Sequence, residues 1–352
     1  LRCVLLGGMV AVFCFLMRGR PPRSTQSVSS AASDVYKRQL QRRGIATIVG
    51  CTLTERSLLR RLAGLRPGGA RPSTAVDAQW VDSAASTADR LASLWNLHVG
   101  PPLEHDGETS LVFPAVRDDG SQAVLKLSRP GVAVAREAEA LSLVDGSCAV
   151  RLLASDIDRG ALLLEAADAT RRLSDESDRE QAVDAAVDIL LQWWRPVPPH
   201  SSIRTLQEIN VDHHRALSGR KRWLARRIPG RDVERALEAL TEPPGEAVLL
   251  HTDLHLGNVL MGHRGGWLAI DPQPLIGPRV HDLEPLIRDA PVVSPSLART
   301  RLDRLVERAG VDREEAARSI LARGLVVGSW SIEEGFADWG WRHIDAVLRT
   351  VS

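Results

Sequence analysis

The chain has 352 residues, a formal net charge of +1, 44% hydrophobic and 25% charged residues. This length allows one large or two medium domains with a sizeable core, and the composition is ordinary for a globular protein. Of four cysteines only Cys148 lies beyond residue 75, which excludes a disulfide framework for the body and agrees with a reducing cytoplasm.

The small net charge hides an asymmetry, because residues 1–75 carry +11 and the remainder −10. Val4 to Met17 is an apolar run followed by Arg18, Arg20 and Arg23. It is shorter than the roughly 17–25 residues a spanning helix needs, and no small-x-small cleavage site follows it. Residues 24–39 are polar and non-periodic, and SVSSAASDVYKRQ resembles the translation of a sequencing adapter. Residues 1–75 therefore read as a disordered or non-native extension rather than a signal anchor. A basic nucleic-acid arm is disfavoured, since no aromatic residue beyond Tyr36 interleaves the charges.

The body opens with a helix, where Val81, Ala84, Ala85, Ala88, Leu91, Ala92 and Trp95 recur at helical spacing until Gly100-Pro101-Pro102. Asp106 to Ser110 is a loop of small and polar residues. Leu111–Val116 and Ala123–Leu127 read as strands around the turn 117–121. Only three of the 45 basic residues are lysines, and Lys126 is the one inside an apolar strand. A compact ammonium reaches phosphates where a guanidinium fork does not fit. The bland alternative is an edge-strand Lys pointing to water. Ala133–Leu143 is helical and carries Glu137 and Glu139, which lie about 200° apart, so only one faces a given neighbour. Val150–Leu153 and Ala161–Leu164 form a hairpin, followed by Glu165-Ala166-Ala167. Ser177 with Glu180 reads as a capping box for a helix whose apolar face runs from Ala182 to Trp194. Arg-rich helices follow over 203–240. His213 and His214 are read as surface residues, since helical neighbours point about 100° apart.

Residues 248–274 concentrate the chemistry. Val248–Leu250, Val259–Met261 and Trp267–Ile270 are apolar runs, the last two separated by Gly262-His263-Arg264-Gly265-Gly266, a hairpin signal. Pairing Met261 with Trp267 brings Asn258 and Asp271 into one corner, with Asp253 in the loop just before. Asn and Asp oxygens are hard ligands suited to Mg²⁺, and the remaining Asp can orient a hydroxyl and accept its proton. His251-x-Asp253-Leu254-x-x-x-Asn258 has the Asp-to-Asn spacing of a kinase catalytic loop.

The string HTDLHLGNVL followed by IDP resembles the aminoglycoside phosphotransferase family. WLAIDPQPLIGPRVHDLEPLIRD is similar to its streptomycin 6-kinase and hydroxyurea-resistance branch, over about Trp80 to the C-terminus. Two departures from the pattern involve three positions. Thr252 stands where the family has Gly, and Pro278 and His281 stand where the branch has Asp and Tyr.

This resemblance implies an α+β, protein-kinase-like fold. A small β-rich N-lobe (76–167) would bind nucleotide, and a larger helical C-lobe (168–352) would carry the catalytic loop and acceptor site. It implies ATP and Mg²⁺ as cofactors, Asp253 as base, Asn258 and Asp271 on the metal, and Lys126 on the nucleotide phosphates with Glu137, favoured by the alignment of REAEALSLVDG, fixing it. The loop ending at Ser110 would cover phosphates, and Glu165 would begin the hinge whose backbone holds adenine. Glu333 and Glu334, on a C-terminal helix, would face a cationic acceptor. The expected activity is phosphorylation of a small-molecule hydroxyl, of streptomycin type and conferring resistance, or of hydroxyurea or a metabolite, in the cytoplasm, with neither nucleic-acid nor membrane partners. A metal-dependent hydrolase using His251 and His255 lacks the Glu of H-E-x-x-H. A non-catalytic nucleotide-binding protein is disfavoured because every residue the chemistry needs is present.

Overall fold

The computed structural model describes residues 75–103, 110–241, 246–288 and 295–352. The extension read over 1–75 (apart from Ala75) and the loop residues 106–109 lie outside them. Packing divides the chain into two units: the described part of Met9–Pro130 with Asp156–Leu163, and Gly131–Ser155 with Leu164–Ser352. This division leaves the helix bearing Glu137 and Glu139 with the C-terminal unit.

In the first unit, helix α1 (Ala75–Leu94) buries Ala84, Ala88 and Leu91, as their spacing predicts. Strands β1 (Leu97–Val99), β2 (Ser110–Arg117) and β3 (Gln122–Ser128) form an antiparallel meander. The start of β5 (Ala161–Glu165) lies on the other side of β3. Strand β3 is thus internal, and Lys126, opposite Val112, is buried. The edge-strand reading of this lysine therefore fails. Gly160 has φ +70°, and a Cβ there would lie 2.1 Å from the Ser128 carbonyl oxygen, which accepts no such neighbour. Only glycine fits this turn.

The second unit begins with α2 (Val132–Val144) and β4 (Leu152–Asp156), and continues after β5 with β6 (Ala167–Arg172) and α3 (Arg179–Trp193). The cap of α3 is Asp178, whose carboxylate accepts from the Glu180 and Gln181 amides, so the predicted Ser177 capping box does not form. Asp178, one residue later, places its oxygen where the orphan N–H groups point. The box appears instead at Thr205 and Glu208, at the start of α4 (Leu206–Leu224). Then come α5 (Gly230–Ala239), β7 (Ala247–Leu250), β8 (Val259–Gly262), β9 (Trp267–Ala269) and β10 (Leu275–Pro278). Helices α6 (Glu284–Arg288), α7 (Pro295–Ala309), α8 (Arg313–Glu333) and α9 (Ala337–Val351) complete the unit.

Two packing devices fix its helices. The α3 carboxylates Glu180, Asp184 and Asp188 pair with Arg301, Arg304 and Arg308 of α7, each set repeating at helical spacing. Helix α8 is buried nearly all round, and Gly324, Gly328 and Gly340 let α9 approach closely. A Cβ at Gly324 would lie 2.4 Å from Val347 Cγ2. Among the described residues no helix is long and apolar enough to cross a membrane.

Candidate active site

Strands β8 and β9 pair as the pattern required, with Met261 opposite Trp267, and β6 flanks β8 on its other side. Gly265 and Gly266 take φ +87° and +82° to turn the hairpin. Arg264 in that turn donates to the Glu165 carboxylate at 3.0 Å and to the Ala149 carbonyl at 3.1 Å. Glu165 also accepts from the Arg151 amide. Its carboxylate is therefore committed, and so is its amide, which donates to the Arg151 carbonyl at 2.8 Å.

At the open end of the hairpin the Ile270 amide donates to the Asn258 carbonyl at 2.9 Å, which sets Asp271 beside the start of β8. Asn258 is buried and its Nδ2 donates to the Asp253 carbonyl at 3.0 Å, with Asp253 Oδ2 at 3.4 Å. The amide nitrogen is thus spent on the loop, and Oδ1 is the atom left to serve as a hard ligand. Asp271 has φ +60°, a conformation that Asp tolerates. An Asn oxygen next to a carboxylate fits Mg²⁺, which takes one or two protein oxygens and completes its shell with phosphates and water. Among the described residues no group of three or more His, Cys, Asp and Glu is placed to form an all-protein cage.

The loop 251–255 is not helical. His251 is buried, 4.7 Å from the Trp193 ring, and its Nδ1 accepts from the Asp253 amide. Burial pushes its pKa down to about 4, so the ring is neutral and free to accept. His255 Nδ1 accepts from the Gly257 amide and caps the short turn Leu256–Asn258. Both histidines are used to shape the loop, which removes the basis of a hydrolase reading. Leu254 and Leu256 anchor it in the core.

Sequence reasoning missed the anchor beneath the loop. Asp282 is fully buried and accepts from Trp194 Nε1 (2.9 Å) and from the amides of His251 (3.0 Å) and Thr252 (2.7 Å). Burial raises its pKa, against these three donors and Arg323. The signal was present in the string HDLEPLIRD, yet its partners come from 30 and 88 residues away. Also missed was the buried group of Arg323, Glu284 and His343. The departure at His281 is absorbed, as its Nε2 meets Arg323 Nη1 at 2.6 Å.

Other expectations resolve as follows. Glu137 is buried, whereas Glu139 accepts from the Ser202 amide and hydroxyl at 3.0 and 2.5 Å. Ser110 opens β2. Glu333 ends α8 as the ion-pair partner of Arg220, and Glu334 is exposed at the cap. His213 is half-buried rather than fully on the surface. It lines a small recess of about 30 Å³ with Asn210, His281 and Arg323, and burial lowers its pKa to about 4.

The family model described as aminoglycoside/hydroxyurea antibiotic resistance kinase matches residues 96–335. A hydroxyurea phosphotransferase of Kitasatospora aureofaciens is 35% identical over 301 residues, covering 81% of this chain and 86% of that protein. A streptomycin 6-kinase of Streptomyces glaucescens is 34% identical over 270 residues, covering 73% and 86%. Among solved structures, a choline kinase of Streptococcus pneumoniae superposes with a TM-score of 0.53 at 15% identity, covering 77% of this chain and 99% of that one. The fold is therefore the protein-kinase-like one expected.

Proposed function

The chain belongs to the aminoglycoside/hydroxyurea antibiotic resistance kinase family, and from that footing we propose that it transfers the γ-phosphoryl group of ATP to a ring hydroxyl of a streptomycin-type aminocyclitol. The observation that carries this reading is the Asp253–Asn258 pair held at the mouth of a hairpin that ends in Asp271. Asp253 orients the acceptor hydroxyl and takes its proton as the hydroxyl oxygen bonds to the γ-phosphorus. The bond to the bridging oxygen breaks, and ADP leaves. Asn258 and Asp271 would hold Mg²⁺, which when bound neutralises charge on the phosphates. The rest of the acceleration is positioning, by a loop whose amides are fixed on Asp282.

In this assignment residues 76–167 are the nucleotide-binding lobe and 168–352 the catalytic and acceptor-binding lobe. Lys126 is the phosphate-binding cation, Glu137 fixes it, the loop ending at Ser110 covers the phosphates, and the backbone from Glu165 onward holds adenine. The commitment of Glu139 to Ser202 supports Glu137 in that role. Glu334 and Glu333 would meet a cationic acceptor, the latter only when its pair with Arg220 opens. Such a protein works where ATP is found, in the cytoplasm, on a small-molecule partner.

Hydroxyurea is the second acceptor reading, favoured by the 35% identity to a hydroxyurea phosphotransferase over a longer alignment. The deciding experiment is ADP release with Mg-ATP and either streptomycin or hydroxyurea. Release with streptomycin alone supports the aminocyclitol assignment. Release with hydroxyurea alone moves the acceptor to an N-hydroxyl. Silence with both rejects the two acceptors named here.

A further inference from the structure

We infer that Arg323 is a positioning residue for Asp253, acting by locking the Thr252–Asp253 peptide in an otherwise unfavourable conformation. The inference rests on the kinase reading for its consequence and on the geometry of the loop for its substance.

Thr252 has φ +59°. Among the non-glycine residues of positive φ, Asn96, Asp145 and Asp271 are of types that enter the left-handed region readily. A β-branched residue there is an outlier, with a strain of order 1–3 kcal/mol that surrounding contacts must offset. Every polar group of Thr252 is accordingly held. Its amide donates to Asp282 Oδ1 at 2.7 Å, its hydroxyl donates to the Gln273 carbonyl at 2.5 Å, and its carbonyl accepts from Arg323 Nη2.

The third contact is the informative one. The Thr252 carbonyl belongs to the peptide plane that carries the Asp253 amide. With the His251 and Thr252 amides held by Asp282, rotation about φ of Thr252 swings its carbonyl together with that plane, and so would re-aim Asp253. A donor fixed on the carbonyl blocks the rotation. Arg323 is itself fixed: it is buried on α8, its Nε donates to Glu284 Oε2 at 2.7 Å, and its Nη1 donates to His281 Nε2 at 2.6 Å. The ring of His343 on α9 packs beside Glu284, with Nε2 3.1 Å from Oε1. Neutralising Glu284 requires only one cation. The planar fork is needed to reach Glu284, His281 and the Thr252 carbonyl at once, which a lysine cannot do.

The test uses Arg323→Lys, which keeps the charge opposite Glu284 but not the fork, made both in the parent chain and in a Thr252→Gly background. Glycine adopts φ +59° without strain, so a lock should matter less there. We expect R323K to lower kcat by about 10–100-fold in the parent with KM for Mg-ATP changed less than about 3-fold, and to lower kcat less than about 3-fold in T252G. Amide exchange over residues 250–256 should accelerate in parent R323K and much less when T252G is present. Equal losses in both backgrounds, no loss in the parent, or exchange that accelerates evenly along the chain would each overturn the inference. Should R323K fail to fold, the charge-neutral pair R323Q/E284Q takes its place in the same comparison. A parent chain that turns over no acceptor counts against the functional reading alone, and the exchange measurement then decides the lock.

Discussion

Asn258 donates through Nδ2 to the Asp253 carbonyl at 3.0 Å. The base candidate and one metal-ligand candidate are therefore parts of a single rigid turn. The same bond orients Asn258 so that its oxygen, not its nitrogen, is left for a cation. The two roles are separable only by changing side-chain chemistry without moving the loop.

Asp253→Asn does this. It removes the proton acceptor while Asn258 still finds the Asp253 carbonyl, a main-chain atom. Turnover should fall by about 10²–10⁴-fold, the usual contribution of a general base, with Mg-ATP binding by titration calorimetry nearly unchanged. Near-normal turnover would remove Asp253 from the mechanism.

Asp282→Asn should cost more in stability than in any single contact. Two donors converge on Oδ2 and one on Oδ1, so an amide NH₂ faces an N–H in either orientation. A loss of about 2–4 kcal/mol is expected, since buried donors are left unpaired. Urea unfolding followed by tryptophan fluorescence checks it, and a parent-like midpoint would show that the carboxylate is not the anchor described.

Acid should destabilise the fold well above the carboxylate range. His213 and His251 have pKa values lowered by burial from 6.5 to about 4, and His281 is lowered well below 6.5. The unfolded chain then binds more protons than the native one between pH 6.5 and 4. Their stabilising contribution is complete above pH 6.5 and is lost as pH falls through that window, by up to about 1.4 kcal/mol per pH unit for each histidine. Asp282, raised by burial, works in the opposite sense but is one group against three. Urea midpoints at pH 7.5, 6 and 5 should decrease in order; a flat profile would mean that these rings titrate normally.

Gly328→Ala sets two effects against each other. Alanine gains about 1 kcal/mol of helix propensity over glycine. The added Cβ, however, would lie 2.5 Å from Ile344 Cγ1 and 3.0 Å from the Gly340 carbonyl oxygen. The oxygen belongs to a packed helix and cannot rotate away, so overpacking of about 1–3 kcal/mol should win. A thermal midpoint at or above that of the parent would show that α8 and α9 can separate at small cost.

The hairpin 259–269 and the convergence of Asp253, Asn258 and Asp271 were legible in the sequence because they depend on spacing over fewer than about twenty residues and on alternation, which strands enforce locally. The helix of Glu137 was legible for the same reason, whereas the engagement of Glu139 by Ser202, 63 residues away, was not. Misread caps and histidines share one cause. Ser177 and Asp178 are equally good caps by composition, and only the path of the chain chose the second. His213 looked solvated because its partners on α8 are distant in sequence. Thr252 in place of Gly reads in the sequence as a change of side chain, whereas its consequence is a backbone angle, φ +59°.

By itself the sequence determined the chemical repertoire: which residues offer hard oxygens, which turn carries them, and that one lysine sits inside an apolar strand. Only the tertiary structure decided what holds that repertoire still. Asp282, Arg323, Glu284 and His343 act through contacts across tens of residues, and a buried charge has no sequence signature until its partner is brought to it. Local spacing encodes the candidate site groups because they share a turn; the anchors come from separate elements and are specified only by the packing that joins them.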